Sequence, residues 1–125
     1  MRIDDVSGQV VDAALRVHSL LGPGLLERVY QVCLAHELGD RRLQVLAELP
    51  IPVRYKGIEL DFTFRIDLLV ESCVVVEIKA VETLLAVHRA QLLSQLKLSD
   101  HRVGLLINFN VPHLRDGIVR MVNQL

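Results

Sequence analysis

Residues 65–80, RIDLLVESCVVVEIKA, decide the fold. From Leu60 to Leu68 apolar and polar side chains alternate strictly, which predicts a strand with one buried face. The valine run at residues 74–76 predicts a second strand that is covered on both faces and lies centrally in a sheet. Turn residues around Ser72 separate the two strands. The stretch is therefore a predicted β-hairpin, which the rest of the chain has to cover.

The remaining elements follow from apolar periodicity. Helical spacing predicts helices over residues 5–21, 25–41 and 83–98 and a short closing helix over 116–124. Further strands are predicted over residues 43–49, 53–55 and 102–109, with a bend at Pro50 and Pro52 and a turn at Lys56–Gly57. The order is α-α-β-β-β-β-α-β-α, and the strand, helix and strand at 74–109 predict a parallel crossover in a mixed sheet.

The same spacing gives the buried side of two helices. The second is expected to bury Leu26, Val29, Cys33 and Leu38. The third, capped by Thr83, is expected to bury Leu85, Leu92, Leu93 and Leu96.

Composition predicts one domain over residues 1–125. The net charge is −1, which excludes broad electrostatic capture of nucleic acid. Mean hydropathy of +0.37 suggests that some apolar surface lies in an interface, and we expect a homodimer. Uncharged stretches reach only about ten residues, and the first residues lack the apolar core of a signal peptide, so we expect no membrane span and a cytoplasmic location. Cys33 and Cys73 have no zinc-ligand spacing.

Three residues of the hairpin could carry chemistry. Glu77 and Lys79 are two apart on a strand, so their side chains leave the same face. A hairpin centred on Ser72 places Asp67 directly opposite Glu77, with Cβ atoms roughly 5 Å apart. Counting outward from Ser72 in the same way places Arg65 opposite Lys79. We therefore expect two facing carboxylates with a lysine beside them.

Facing carboxylates repel each other unless a cation lies between them, and a divalent metal with oxygen ligands, Mg²⁺ or Mn²⁺, is the expected one. Lys79 could then orient or deprotonate the attacking water, or neutralise charge on a phosphate. This arrangement is typical of metal-dependent phosphodiester hydrolysis. The alternative is a solvated strand face with exposed ion pairs. A loop of even length would also put Asp67 and Glu77 on opposite faces.

Residues 22–30, GPGLLERVY, resemble the motif of the GxxExxY proteins, with Gly24, Glu27 and Tyr30 at the named positions. Four further blocks agree: RIDLLV at 65–70, VEIKAVE at 76–82, VHRAQLL at 87–93 and GLLINF at 104–109. That family is placed in the PD-(D/E)xK nuclease-like superfamily. The resemblance implies an α/β fold with a restriction-endonuclease-like core, α-β-β-β-α-β, a central mixed sheet flanked by helices and an extra N-terminal helix.

The resemblance also implies roles for individual residues. Asp67 and Glu77 would be the metal-binding carboxylates, with the carbonyl of Ile78 as a further ligand, and Lys79 would be the lysine of the E-x-K motif. The implied function is a metal-dependent nuclease that acts on nucleic acid. As the substrate we expect DNA ahead of RNA. The alternative is a non-catalytic module of the same fold that binds nucleic acid or a protein partner.

Two supporting residues are implied on helices. Glu27 matches a helical glutamate that helps to hold metal, although any acid in a first helical turn is also favourable by itself. Gln91 matches the glutamine of a Q-x-x-x-Y motif, but Gln95 stands where that motif has tyrosine. His88, Gln91 and Gln95 form a polar stripe, which either faces the site or is a solvated flank.

Overall fold

The computed structural model describes residues 1–123 as a five-stranded sheet with helices on both faces. In chain order the elements are α1 (Ile3–Leu21), α2 (Glu27–Asp40), β1 (Val45–Tyr55), β2 (Ile58–Val70), β3 (Val74–Lys79), α3 (Ala86–Ser99), β4 (Val103–Asn108), a 3₁₀ turn (Leu114–Gly117) and β5 (Ile118–Val122). The strands lie in the order β1-β2-β3-β4-β5. Only β3 and β4 are parallel, so the sheet is mixed as expected.

β3 is the central strand, as its valine run predicts. Its first five residues are buried, and so is every residue of β4. Parallel neighbours need a long connection, and α3 provides it. The predicted parallel crossover over residues 74–109 is therefore confirmed.

Two hydrophobic clusters hold the helices on the sheet. On one face, Val10 of α1 and Leu34 of α2 belong to the same buried cluster as Val76 of β3. On the opposite face, Leu92 of α3 packs in a second cluster with Val75. Each such side chain contributes about 1.5–3 kcal/mol by leaving water. None of the helices within residues 1–123 has the length and hydrophobicity to cross a bilayer.

The expected buried side of α2 is wrong in part. The helix begins at Glu27, and its inner face carries Tyr30, Leu34 and Leu38. Leu26 lies before the helix and is 77% exposed, and Val29 is also exposed. The inner face is turned by one residue because Tyr30, not Val29, is anchored by stacking on Phe109, the residue that follows β4.

α3 also begins later than predicted. Leu85 occupies the N-cap position, so Thr83 does not cap the helix, and Leu85 is exposed. The side chain that closes this helix end is His88, whose Nδ1 accepts the N–H of Leu85 at 2.9 Å. Leu92 and Leu96 are buried as predicted.

β1 is one continuous edge strand, not the two short strands that Pro50 and Pro52 suggested. An edge strand tolerates proline because one of its edges forms no ladder. The register of the ladder with β2 shifts near Pro52 and Arg54, not at Pro50. The two-strand expectation is therefore corrected.

The predicted closing helix over residues 116–124 is wrong. Its described part is the end of the 3₁₀ turn followed by β5, which pairs antiparallel with β4. Ile118 packs against one cluster while Val119 and Met121 pack against the other, so the segment alternates as a strand does. Its β-branched residues also favour a strand. Gln124 lies outside the described residues.

Candidate active site

The hairpin between β2 and β3 has the register that the sequence predicts. Its antiparallel ladder pairs Leu68 with Val76, so it is centred on Ser72. The same register places Asp67 across from Glu77, one step beyond the last ladder pair. The two acids therefore lie where the paired part of the hairpin ends.

β2 reverses its faces at Asp67. Phe64 and Ile66 pack in the cluster on the α3 side, whereas Leu68 packs on the other side of the sheet. The strict alternation predicted along this strand is therefore wrong at this point. On β1, Glu48 lies across from Asp67 and has a φ of +53°, and the β1–β2 ladder omits both residues while keeping its register on either side. The local irregularity releases Asp67 from regular pairing.

The carboxylate of Asp67 replaces the missing ladder partner. Its Oδ2 atom accepts the backbone N–H of Ile78 at 2.9 Å. The N–H and C=O of one strand residue point to the same edge of the strand. The carbonyl of Ile78 therefore faces the same gap between β2 and β3 as Asp67 does.

Glu77 is a buried acid, with only 7% of its surface exposed. Its Oε1 atom lies 3.6 Å from Nζ of Lys79, while Oε2 has no hydrogen-bond partner within residues 1–123. Burial, followed by the charge of Asp67, raises the pKa of Glu77 to about 7, although contact with Gln95 and the charge of Lys79 act in the opposite direction. An unpaired buried carboxylate oxygen is costly, so the site favours uptake of a cation or a proton.

The end of β3 at Lys79 is fixed by its neighbour β4. The carbonyl of Lys79 accepts the N–H of Phe109 at 3.0 Å. Beyond it, the side chain of buried Asn108 accepts the N–H of Val81 at 3.0 Å and donates to its carbonyl at 2.9 Å. Asn108 thus extends the pairing past β3 and helps to set the direction of Lys79. Sequence reasoning missed Asn108, although it is the one polar residue in GLLINF.

Gln95, not Gln91, is the α3 side chain that the structure brings to the acids. Gln95 contacts Glu77 and lowers its pKa. Gln91 is exposed and lies one turn earlier on the wall of a groove of about 350 Å³, which Gln95 also lines. The residue that departs from the Q-x-x-x-Y motif therefore occupies the closer position, and Gln91 lines the groove one turn away.

Glu27 is the first residue of α2 and is exposed. The adjacent Arg28 pairs with Glu48, the residue across from Asp67, so this helix start lies beside the end of the hairpin. Within residues 1–123, however, no three His, Cys, Asp or Glu side chains form a metal-holding group. The structure does not gather Glu27 with Asp67 and Glu77, and its role stays a prediction.

Tyr30 is a packing residue that shapes the Gly-Pro-Gly turn. Its ring stacks on Phe109 with 4.6 Å between centroids. Its hydroxyl donates to the carbonyl of Gly22 at 2.6 Å and accepts the N–H of Leu25 at 3.1 Å. Gly24 has a φ of +98°, a conformation that favours glycine. Gly24 therefore allows the chain to turn here, and Tyr30 holds this turn against Phe109.

One further expectation is corrected. Arg65 does not face Lys79, because it lies 3.4 Å from Glu48 on the other side of the reversed ribbon. For His88 the sequence left two alternatives open, and in the structure its ring closes the start of α3 at Leu85.

The available donors suit a hard divalent cation. Asp67 and Glu77 offer carboxylate oxygens and Ile78 a carbonyl oxygen beside them. Mg²⁺ typically binds one or two carboxylates and retains several waters, so three acids are not required. A cation here would also satisfy the unpaired Oε2 of Glu77 and offset its repulsion from Asp67. The residues therefore fit Mg²⁺ or Mn²⁺.

A family model of the PD-(D/E)XK nuclease superfamily matches residues 4–121, so the chain belongs to that superfamily. The mixed five-stranded sheet, its flanking helices and the N-terminal helix confirm the restriction-endonuclease-like α/β fold. Membership indicates a nuclease-type function and binding of nucleic acid, and members generally depend on a divalent metal. No curated protein and no solved structure matches the chain significantly.

Proposed function

We propose that this protein hydrolyses phosphodiester bonds of nucleic acid at Asp67, Glu77 and Lys79. The observation that carries the proposal is the Oε2 atom of Glu77, which is buried and unpaired within residues 1–123 and lies beside a second acid. The sequence Glu77-Ile78-Lys79 also agrees with the acid-x-lysine pattern in the superfamily's name. Mg²⁺ or Mn²⁺, when bound, would supply Lewis-acid activation of the phosphate.

Each residue of the site has a role that its surroundings support. Asp67, Glu77 and the carbonyl of Ile78 would hold the cation, and the Asp67–Ile78 hydrogen bond keeps these donors together. Lys79 would position the attacking water and neutralise charge that develops on the phosphate. Its side chain is 19% exposed, so the ammonium can meet a substrate while the stem stays packed.

Two supporting roles rest on the likeness to the GxxExxY proteins. Glu27, beside the ion pair of Arg28 and Glu48, would assist at the cation. Gln91, on the wall of the groove that leads to Gln95, would contact the substrate. Neither side chain is needed to hold the two acids in place.

We also propose DNA as the preferred substrate over RNA, a homodimer as the working assembly and the cytoplasm as the location. Cys33 and Cys73 are both free thiols, which agrees with a reducing compartment. Parallel assays on DNA and RNA test the first of these proposals.

The experiment is a cleavage assay of the purified protein with Mg²⁺ or Mn²⁺. Substrates are single-stranded, double-stranded and structured DNA and RNA. Lys79→Ala should lose at least about 100-fold in rate, the usual contribution of a group that handles the proton or the water. Lys97→Ala, an exposed lysine on α3, is the matched control and should cleave like wild type. Equal rates for wild type and Lys79→Ala on every substrate would refute the catalytic role.

A non-catalytic module is the second candidate. The observation in its favour is the ion pair of Glu77 with Lys79, which partly balances the acid without a metal. Calorimetry with Mn²⁺ separates the two candidates. A catalytic site binds Mn²⁺ in wild type and loses it in Glu77→Gln, whereas the module gives no heat that depends on Glu77.

A further inference from the structure

The β1–β2 ribbon extends well beyond the sheet. β3 pairs with β2 only at residues 68–70, so residues 50–65, here called the arm, project as a two-stranded hairpin. Lys56 and Gly57 both have positive φ at its tip, as a tight hairpin turn requires. Two-stranded hairpins are marginally stable in water, so an arm of this length gains from a surface that covers it.

One face of the arm is apolar along its whole length. Near the sheet, Ile51 and Phe64 pack in the α3-side cluster. Farther out this face leaves the cover of α3. Its four outer side chains are exposed: Tyr55 62%, Ile58 64%, Leu60 37% and Phe62 69%. The arm therefore presents an apolar surface that continues the core into solvent.

The opposite face of the arm carries charges of both signs. Arg54 and Glu59 lie 3.5 Å apart across the hairpin, and Asp61 lies nearby on the same face. Over residues 50–65 three basic residues stand against two acidic ones, and an excess of one basic residue is too small to attract a phosphate backbone strongly. The nearly neutral, apolar surface is suited to a protein partner instead.

The partner has to contact the face of the arm and not its edge. Pro50 and Pro52 occupy alternate positions of β1, so both missing N–H groups belong to the same edge. β2 occupies the opposite edge of β1. The free edge therefore lacks the donors that an added strand would need.

We propose that the apolar face of the arm packs against the same face in a second copy of this chain, as an isologous twofold contact. The four outer side chains expose roughly 400–500 Å². Over two copies that is roughly 800–1,000 Å², close to the lower bound of about 1,000 Å² for a specific interface, and the adjoining groove of Val53 and Phe64 with Leu98 of α3 adds to it. With a net charge of −1, two copies scarcely repel each other.

This interface lies close to the candidate active site. Gln95 lines the same groove and also contacts Glu77, so a second copy seated there is one side chain away from the acid. The assembly itself does not require nuclease activity. Its test therefore stays separate from the test of the proposed function.

Sedimentation velocity from about 1 to about 100 µM measures the assembly, since association depends on concentration. Wild type should dimerise. Phe62→Asp should weaken the dimer at least about 100-fold, because it puts a charge in the centre of the contact. Leu26→Asp, at a similarly exposed apolar residue just before α2, is the matched control and should dimerise normally. Circular dichroism checks the fold, and Ile58→Lys replaces Phe62→Asp if that variant misfolds.

Three outcomes would overturn the proposal. The first is a wild-type protein that stays monomeric throughout, and the second is a Phe62 or Ile58 variant that dimerises like wild type. The third is loss of the dimer in Leu26→Asp alone, which assigns the contact to the α2 side. If an arm variant dimerises like wild type but binds an oligonucleotide more weakly, the second outcome holds. The apolar face of the arm would then contact nucleic acid and not a second copy.

Discussion

The Oδ2 atom of Asp67 lies 2.9 Å from the backbone nitrogen of Ile78, so one acid of the site is bonded to the strand that carries the other. This bond forms where β2 reverses its faces and the regular ladder stops. The carboxylate of Asp67 thereby accepts the N–H that a backbone carbonyl of β2 would accept in a regular ladder. The geometry of the acids and the closure of the hairpin consequently depend on the same side chain.

Substitution of Asp67 should separate its hydrogen bond from its charge. Asp67→Asn retains an oxygen that can accept the N–H of Ile78 and removes repulsion from Glu77, so its stability should equal or exceed that of wild type. Asp67→Ala leaves a backbone donor unpaired and should lose about 1–3 kcal/mol. Urea denaturation measures both. Calorimetry should show weakened Mn²⁺ binding in both variants, and unchanged binding in Asp67→Asn would contradict its role at the cation.

Glu77 should make the metal-free protein less stable as the pH rises. Its ordinary pKa is 4.5 and its folded pKa is about 7, so between these values the folded state keeps a proton that the unfolded state has lost. The stabilisation is complete below about pH 4.5 and disappears as the pH rises through about 7. Since one pKa unit corresponds to about 1.4 kcal/mol, the loss approaches about 3 kcal/mol. Urea denaturation with a chelator over this range measures it.

Glu77→Gln is the control for this pH dependence, because its amide stays neutral. The variant should lack the loss between about pH 5 and pH 8. Addition of Mn²⁺ at high pH should stabilise wild type by about 2.7 kcal/mol when the free ion is at 100 times its Kd, and should leave Glu77→Gln unchanged. Identical pH slopes in the two proteins would show that Glu77 does not titrate as the structure requires.

The hairpin and the crossover could be predicted because their signals are local. Val74 and its neighbours form an apolar run that only a central strand explains, and the turn at Ser72 sets the register. Register in turn fixes which residues face each other, so Asp67 and Glu77 could be paired from the sequence. The α3 crossover could also be predicted, because two parallel strands require a long connection between them.

The face reversal could not be predicted because the apolar periodicity of β2 does not encode it. It coincides with the positive φ of Glu48 on β1, a residue that contacts Arg28 of α2 and Arg65. The sequence left open whether the stripe of His88, Gln91 and Gln95 faces the site, because the contact of Gln95 with Glu77 depends on where α3 crosses the sheet. Both features are set by tertiary packing and not by periodicity.

Tyr30 should stabilise the protein through its hydroxyl group. Tyr30→Phe keeps the stacking on Phe109 but removes the bonds to Gly22 and Leu25. With two bonds lost, we expect a destabilisation of about 1–3 kcal/mol. Thermal denaturation measures it. If the variant is stable but cleaves nucleic acid far more slowly, the hydroxyl has a catalytic role that its buried position does not suggest.

Gln95 should tune the titration of Glu77. Its contact lowers the pKa of that acid, so Gln95→Ala should raise the pKa further and shift the pH-dependent loss of stability to higher pH. Gln91→Ala is the matched control, because Gln91 lies one turn away in the same groove and is exposed. Carbon-13 NMR of the Glu77 carboxyl in metal-free protein follows the titration directly. A higher midpoint in Gln95→Ala alone supports the contact, whereas an equal shift in both variants would assign the effect to the groove as a whole.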